Sequence, residues 1–343
     1  MRALILKKVC DLDYESSPLE MVEHSLPVPG SHEIVIRVSC CGVCHTELDE
    51  IEGRTPPSEF PMILGHQVVG IVTDLGPDVS NFRVGNRVGV AWIFSSCGRC
   101  EHCKKGMENL CPEFKGTGRD AMGGYAEYMV VHEKFAYAIP EVFSDAEAAP
   151  LLCAGAIGYR SLQLTNFYNG QTLGLSGFGA SGHLVLKMAR YLYPDSKIIV
   201  FARSKHEQNF AKSLGAVWAG EIEDTPPSKA DAIIDTTPVW NTIVKSLGHL
   251  KPGGRLVINA IRKESADKDK LLNLSYHDHL WMEREIKSVA NITRHDVEEF
   301  LQLAAKIPIK PEIEIYPFVL ANQALHDLKH KHVQGAKVLV MDS

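Results

Sequence analysis

The sequence predicts an α/β protein in two parts, a mostly β, barrel-like domain and a doubly wound parallel sheet. Three observations carry this. Up to about residue 140 the chain runs in short β-rich segments cut by Gly and Pro. Past Pro150 it alternates strand and helix. Within that alternation a glycine-rich turn stands between an apolar strand and a helix.

A chain of 343 residues is long for one core and comfortable for two domains. Its hydrophobic fraction of 45% and charged fraction of 23% are those of an ordinary globular protein. A net charge of −6 argues against nucleic acid or an anionic membrane as partner. Residues 1–8 hold too short an apolar run for a secretory signal. The longest uncharged run, 161–186, is full of Gly, Ser, Thr and Asn, unlike a membrane span. The expectation is a cytoplasmic protein.

In the first part, 34–38, 68–72 and 87–90 read as strands, punctuated by loops such as Pro27-Val28-Pro29-Gly30 and Gly76-Pro77-Asp78. Nine cysteines in such a chain point to metal or redox chemistry rather than disulfides. Cys97, Cys100, Cys103 and Cys111 are spaced to close a tetrahedral zinc site that staples the loop 97–111. An iron–sulfur cluster and a nucleic-acid-binding zinc ribbon compete for that pattern. The wide gap before Cys111 and the lack of a second run argue against the first, and the acidic balance against the second.

A second group lies in Cys41-Gly42-Val43-Cys44-His45-Thr46. Cys44, with the distant His66 and Cys153, offers two thiolates and an imidazole. Such a set leaves the fourth position of Zn²⁺ free for water or substrate, as catalytic sites do. Each residue alone reads equally well as a packed side chain.

In the second part, 172–176 is an apolar strand, Gly177-Phe178-Gly179-Ala180-Ser181-Gly182 a tight turn, and 183–191 a helix. Between strand and helix, Gly177, Gly179 and Gly182 form the dinucleotide fingerprint of a Rossmann sheet, with the pyrophosphate on the helix N-terminus. Further strands at 198–201, 232–235 and 256–259 alternate with helices. The end of the second strand selects the cofactor. It carries Arg203, Ser204 and Lys205, with no carboxylate before Glu207. That chemistry suits a ribose 2′-phosphate, so NADP(H) is expected over NAD(H).

These pieces together resemble the zinc-dependent medium-chain alcohol dehydrogenases over nearly the whole chain. The carrying motifs are Gly42-Val43-Cys44-His45-Thr46, Gly65-His66, the four-cysteine lobe, Leu151-Leu152-Cys153-Ala154-Gly155 and the loop from Gly177 to Gly182. The resemblance implies a GroES-like catalytic domain over 1–153 and 293–343, a dinucleotide domain over 154–292, and an active site in the cleft between them. It implies two zinc ions per chain: a catalytic one on Cys44, His66 and Cys153, and a structural one in the lobe. Thr46 would bond the substrate oxygen and relay its proton, His45 would lie near the pyrophosphate, and Trp92 would wall the substrate pocket. The activity implied is reversible hydride transfer between an alcohol and an aldehyde or ketone; the alternative is a non-catalytic nucleotide- or redox-sensing zinc protein. The strand near Ile286 would lie at the sheet edge, for pairing in a homodimer or homotetramer.

Three positions depart from the family's pattern. Gln67 follows the histidine ligand where relatives commonly have Glu. Asp49 stands where many have the histidine that ends the proton path; it either accepts the proton as a catalytic residue or leaves its release to solvent. Ala336 replaces an arginine used on the pyrophosphate, with Lys337 beside it as a candidate substitute.

Overall fold

The strand Glu33–Val43 is the spine of the first unit. Its side chains are buried almost throughout, with Arg37 the exposed exception, because other strands or helices cover both of its faces. It pairs antiparallel with Val68–Leu75, with Tyr128–His132 and with Ala336–Val340. The sheet runs in the order Ala136–Ala138, Arg87–Val90, Val68–Leu75, Glu33–Val43, Ala336–Val340, Ile313–Pro317. Only the last pair among these is parallel. Ile34, Ile36, Val38, Val68, Val72, Val88, Val90 and Leu339 fill the interior. A three-stranded sheet of Leu19–Glu23, Arg2–Leu6 and Met62–Ile63 packs into the same core. The computed structural model describes residues 1–331 and 335–341. No helix among them is long and apolar enough to cross a membrane.

The chain divides into Met1–Cys153 with Ile292–Ser343, and Ala154–Asn291. Ile292 therefore groups with the first unit, one residue ahead of the boundary read from sequence. The return is made by backbone pairing, in which Lys337 faces Val43 and Val338 faces Gly42 across the ladder.

The second unit is a six-stranded sheet in the order Trp218–Gly220, Lys197–Phe201, Thr172–Ser176, Ala230–Asp235, Leu250–Ile258, Glu285–Ser288. Every neighbouring pair is parallel. The strand order reverses between Thr172–Ser176 and Ala230–Asp235, the point at which doubly wound sheets bind ligands. The helix after the glycine turn is Ala180–Leu192, with Gly179 as its N-cap. It starts three residues earlier than the apolar spacing suggests, so Gly182 lies inside its first turn. The strand expected over 256–259 begins at Leu250 and ends at Ile258.

Candidate active site

Cys44 sits where the spine strand gives way to the helix His45–Ile51. It is the extended N-cap of that helix, and its Sγ accepts the Thr46 backbone N–H at 3.4 Å. Three residues on, Glu47 reaches back and its Oε2 accepts the Cys44 N–H at 2.9 Å. This reciprocal cap holds the Cys44 backbone in place.

His66 follows Gly65, whose φ of +94° and close contact with the Tyr125 ring leave no room for a Cβ. The His66 ring is buried, with Nε2 3.7 Å from Cys44 Sγ and Nδ1 2.7 Å from Glu47 Oε1. The Nδ1 contact is close but lies off the straight hydrogen-bond line, so it is an ion-pair contact rather than a linear bond. Burial alone would push the imidazole pKa down; the Glu47 carboxylate and then Cys44 outweigh it and hold it well above its ordinary value. A carboxylate on Nδ1 fixes the tautomer that leaves Nε2 to bind a metal. Trp92, itself buried, stands perpendicular to the imidazole at 5.0 Å.

Cys153 lies on a wide helical turn, Leu151–Gly155, that follows the helix Asp145–Pro150. Wide turns of this kind recur at functional sites. The ligand atoms of Cys44, His66 and Cys153 all lie within 4.8 Å of one another. A hydrogen bond with Cys153, burial and then Glu47 hold the Cys44 thiol well above its ordinary pKa. Two neighbouring thiols in a buried site resist ionising together until a cation joins them.

Tetrahedral zinc with Zn–S and Zn–N bonds of about 2.3 and 2.1 Å sets sulfur and nitrogen about 3.6 Å apart. The 3.7 Å between Cys44 Sγ and His66 Nε2 matches that span. The same test holds in the lobe, where Cys97 and Cys103 Sγ are 3.9 Å apart against about 3.8 Å expected. All four lobe sulfurs lie within 4.8 Å of one another. Backbone N–H groups aim at them: Cys97 at Cys111, Cys100 at Cys97, Cys103 at Cys100, and Glu113 at Cys111. The N–H groups of Arg99 and Cys100 draw the Cys97 thiol down to about 6. The lobe is tied to the returning helix by Glu108, whose Oε1 accepts the backbone and Nε N–H groups of Arg294.

Other expected residues are placed differently. Thr46 is half-buried on the first turn beside Cys44, and His45 is exposed. Gln67 is buried with its Nε2 unpartnered, a neutral amide next to the histidine ligand. Two expectations are corrected. Asp49 is buried and ion-paired with Arg54, so it is a compensated carboxylate and not an open proton acceptor. Lys337 is buried in the first unit, donating to Glu314 and, at 2.8 Å, to the Tyr316 hydroxyl, so its ammonium is already spoken for.

In the second unit, Gly177 has a φ of +85° and lies against Thr236, so a Cβ would meet Thr236 Oγ1 at 2.5 Å. The helix it leads into, Ala180–Leu192, has no side-chain cap on its N-terminus. The two that follow later strands do: Ser204 with Glu207 caps Lys205–Ser213, and Asp267 accepts the Trp240 and Asn241 N–H groups ahead of Asn241–Gly248. The N-terminus beside the fingerprint glycines carries no side-chain cap from its N-cap residue, Gly179. At the second strand's end Ser204 is corrected from phosphate ligand to cap, donating to Glu207 at 2.8 Å. Lys205 turns to Gln208 at 3.0 Å, whereas Arg203 is exposed.

Sequence reasoning missed Glu47, although a carboxylate three residues after an N-cap is a readable signal. It also missed Glu50, whose two carboxyl oxygens are buried without a hydrogen-bond partner among the described residues. Burial, and then Glu47, push that carboxyl well above the usual range.

A parallel sheet with an open phosphate-binding turn, and an open-cornered metal set in the other unit, define a metal-dependent nicotinamide oxidoreductase. The alcohol dehydrogenase GroES-like domain matches residues 30–141. The chain is 40% identical over 332 residues to the probable alcohol dehydrogenase AdhA of Mycobacterium tuberculosis, covering 95% of this chain and 94% of that protein. A cinnamyl alcohol dehydrogenase from Sorghum bicolor superposes with a TM-score of 0.84 at 27% identity, over 99% of this chain and 97% of that one. A cobalt- and zinc-bound thermostable alcohol dehydrogenase from Pyrobaculum aerophilum gives 0.84 at 25% identity, over 99% of both chains. The protein belongs to the zinc-dependent medium-chain alcohol dehydrogenase family. It is a zinc- and nicotinamide-dependent oxidoreductase acting between alcohols and carbonyl compounds.

Proposed function

We propose that this enzyme works with NADP(H) in preference to NAD(H), on a small alcohol or aldehyde, with two zinc ions per chain. One observation carries the catalytic assignment: three ligand atoms of the catalytic set gathered within 4.8 Å from distant parts of the sequence. Zinc held there supplies Lewis-acid polarisation of the substrate oxygen, and nicotinamide accepts or returns the hydride. The chain's own residues do the rest. Glu47 orients His66 through Nδ1 and leaves Nε2 to face the metal. Thr46 Oγ1, on the turn beside Cys44, takes the proton from the substrate hydroxyl and passes it on. With Asp49 held by Arg54, the proton leaves from Thr46 to solvent. Trp92 packs edge-on to His66 and keeps water off that side of the metal set.

The fingerprint glycines and the N-terminus of Ala180–Leu192 receive the pyrophosphate. Arg203 would meet the ribose 2′-phosphate, and the nearby Glu207 carboxylate is held in a cap with Ser204. At the sheet edge, Glu285–Ser288 is exposed along its whole length, with Ile286 45% exposed and Trp281 and Met282 each at 50%. An open edge of this kind, with Ile286, Trp281 and Met282 exposed along it, supports pairing with a second copy, as a homodimer or a homotetramer. Nine cysteines, none in a disulfide, support a cytoplasmic setting.

Steady-state kinetics with both cofactors test the selectivity. NADPH is expected to give the lower KM, and Arg203→Ala to close the gap by raising the KM for NADPH alone. A lower KM for NADH in the wild type overturns it.

A further inference from the structure

Lys263 lies in the loop after Leu250–Ile258, yet its side chain is only 8% exposed. Its Nζ is 2.5 Å from Asp235 Oδ2 and 2.6 Å from the Thr237 carbonyl, and Asp235 is wholly buried. The other carboxylate oxygen, Asp235 Oδ1, accepts the Ser176 hydroxyl at 2.7 Å and the Thr237 hydroxyl at 3.0 Å. Ser176 and Asp235 are the last residues of the two strands between which the sheet order reverses. Three more bonds join the same loops: the Glu264 N–H to the Pro238 carbonyl at 2.7 Å, and the N–H groups of Trp240 and Asn241 to Asp267.

Burying both charges of an ion pair adds little net stability, because desolvation offsets the attraction. What the pair does supply is registration: one ammonium fixes the loops after Asp235 and Ile258 to each other and to the end of Thr172–Ser176. In a doubly wound sheet the dinucleotide lies across the reversal, with its adenosine ribose read at the end of the second strand. Here that is the end of Lys197–Phe201, so the nicotinamide half lies over the loops that Lys263 ties.

We propose that Lys263, through Asp235, is a positioning residue for the nicotinamide half of the cofactor. This rests on the dinucleotide reading above. Binding to the full-length protein tests it, with NADPH and NADH set against ADP-ribose and its 2′-phosphate, fragments that lack nicotinamide. Lys263→Met is expected to weaken the reduced dinucleotides about ten-fold or more and leave the fragments unchanged. In turnover it should raise the cofactor KM more than it lowers kcat. Should the lone buried carboxylate destabilise that variant, the charge-free pair Asp235→Asn with Lys263→Met should recover the melting temperature and still bind dinucleotide weakly. Equal weakening of fragment and dinucleotide, or no weakening of either, overturns the role of Lys263. A wild type that binds neither fragment nor dinucleotide overturns the cofactor reading itself, and this inference with it.

Discussion

The two sulfur clusters of the first unit are built in opposite ways. Cys97, Cys100, Cys103 and Cys111 meet inside one loop, and backbone N–H groups of that same loop aim at three of the sulfurs. Cys44, His66 and Cys153 come from a helix cap, a turn after a glycine and a wide helical turn. The first offers four ligand atoms within 4.8 Å of one another; the second offers three. A local, closed site holds a loop that has little core of its own. A dispersed, open site makes no such local contribution, and its geometry depends on the surrounding barrel.

Breaking each cluster should separate the two roles. Cys44→Ala is expected to lower kcat/KM by more than about 100-fold, beyond the range of outer-shell changes, while metal analysis falls from two zinc ions to one and the melting temperature moves little. Activity retained with a single metal would collapse the distinction. Cys103→Ala is expected to do the reverse. It should lose the lobe metal and about 3–5 kcal/mol of stability, read by denaturant unfolding, with the catalytic set still able to bind its ion.

Glu47→Gln sharpens the comparison, because only the dispersed site relies on a carboxylate to aim a ligand. Its charge on His66 is lost while the shape is kept, and zinc retention against a chelator should drop about 10–100-fold at the catalytic site alone. The smallest effect is expected away from both clusters. Asp327 accepts from Lys331, Gln323 and the Tyr316 hydroxyl. Burial opposes its ionisation, but Lys331 first, with Tyr316 and Gln323, outweighs that and holds the carboxyl down at about 2. Its folded pKa is below the unfolded value of about 3.9, so its contribution is present above that pH and lost as pH falls through about 2. Asp327→Asn should therefore lower the melting temperature at neutral pH, converge with the wild type near pH 2, and leave the zinc count at two.

Much of this was legible in the residues. The lobe and the glycine turn have fixed local spacings, and each sits in the context that gives the spacing meaning. The strands over 34–38, 68–72 and 87–90 lie inside observed strands, because each is a short, largely apolar, β-branched run bounded by turn residues. Asp49 and Lys337 were misread for one shared reason. Each is polar and close in sequence to the site, but its partner is set by the fold: Arg54 returns from beyond the helix end, and Glu314 and Tyr316 come from a neighbouring parallel strand. Ser204 was misread because a serine before a helix serves a cap as readily as a phosphate.

The sequence by itself determined the groups that are complete within a turn or two of chain: four thiols in one loop and a glycine-rich turn between a strand and a helix. Only the tertiary structure decided which distant side chains meet: Cys153 with Cys44, Glu47 behind His66, Lys263 on Asp235, and Lys337 turned inward to Glu314. The reason is physical. Local geometry follows from backbone dihedrals and short spacings, whereas contacts between distant residues follow from strand register and from the cost of burying a charge without a partner.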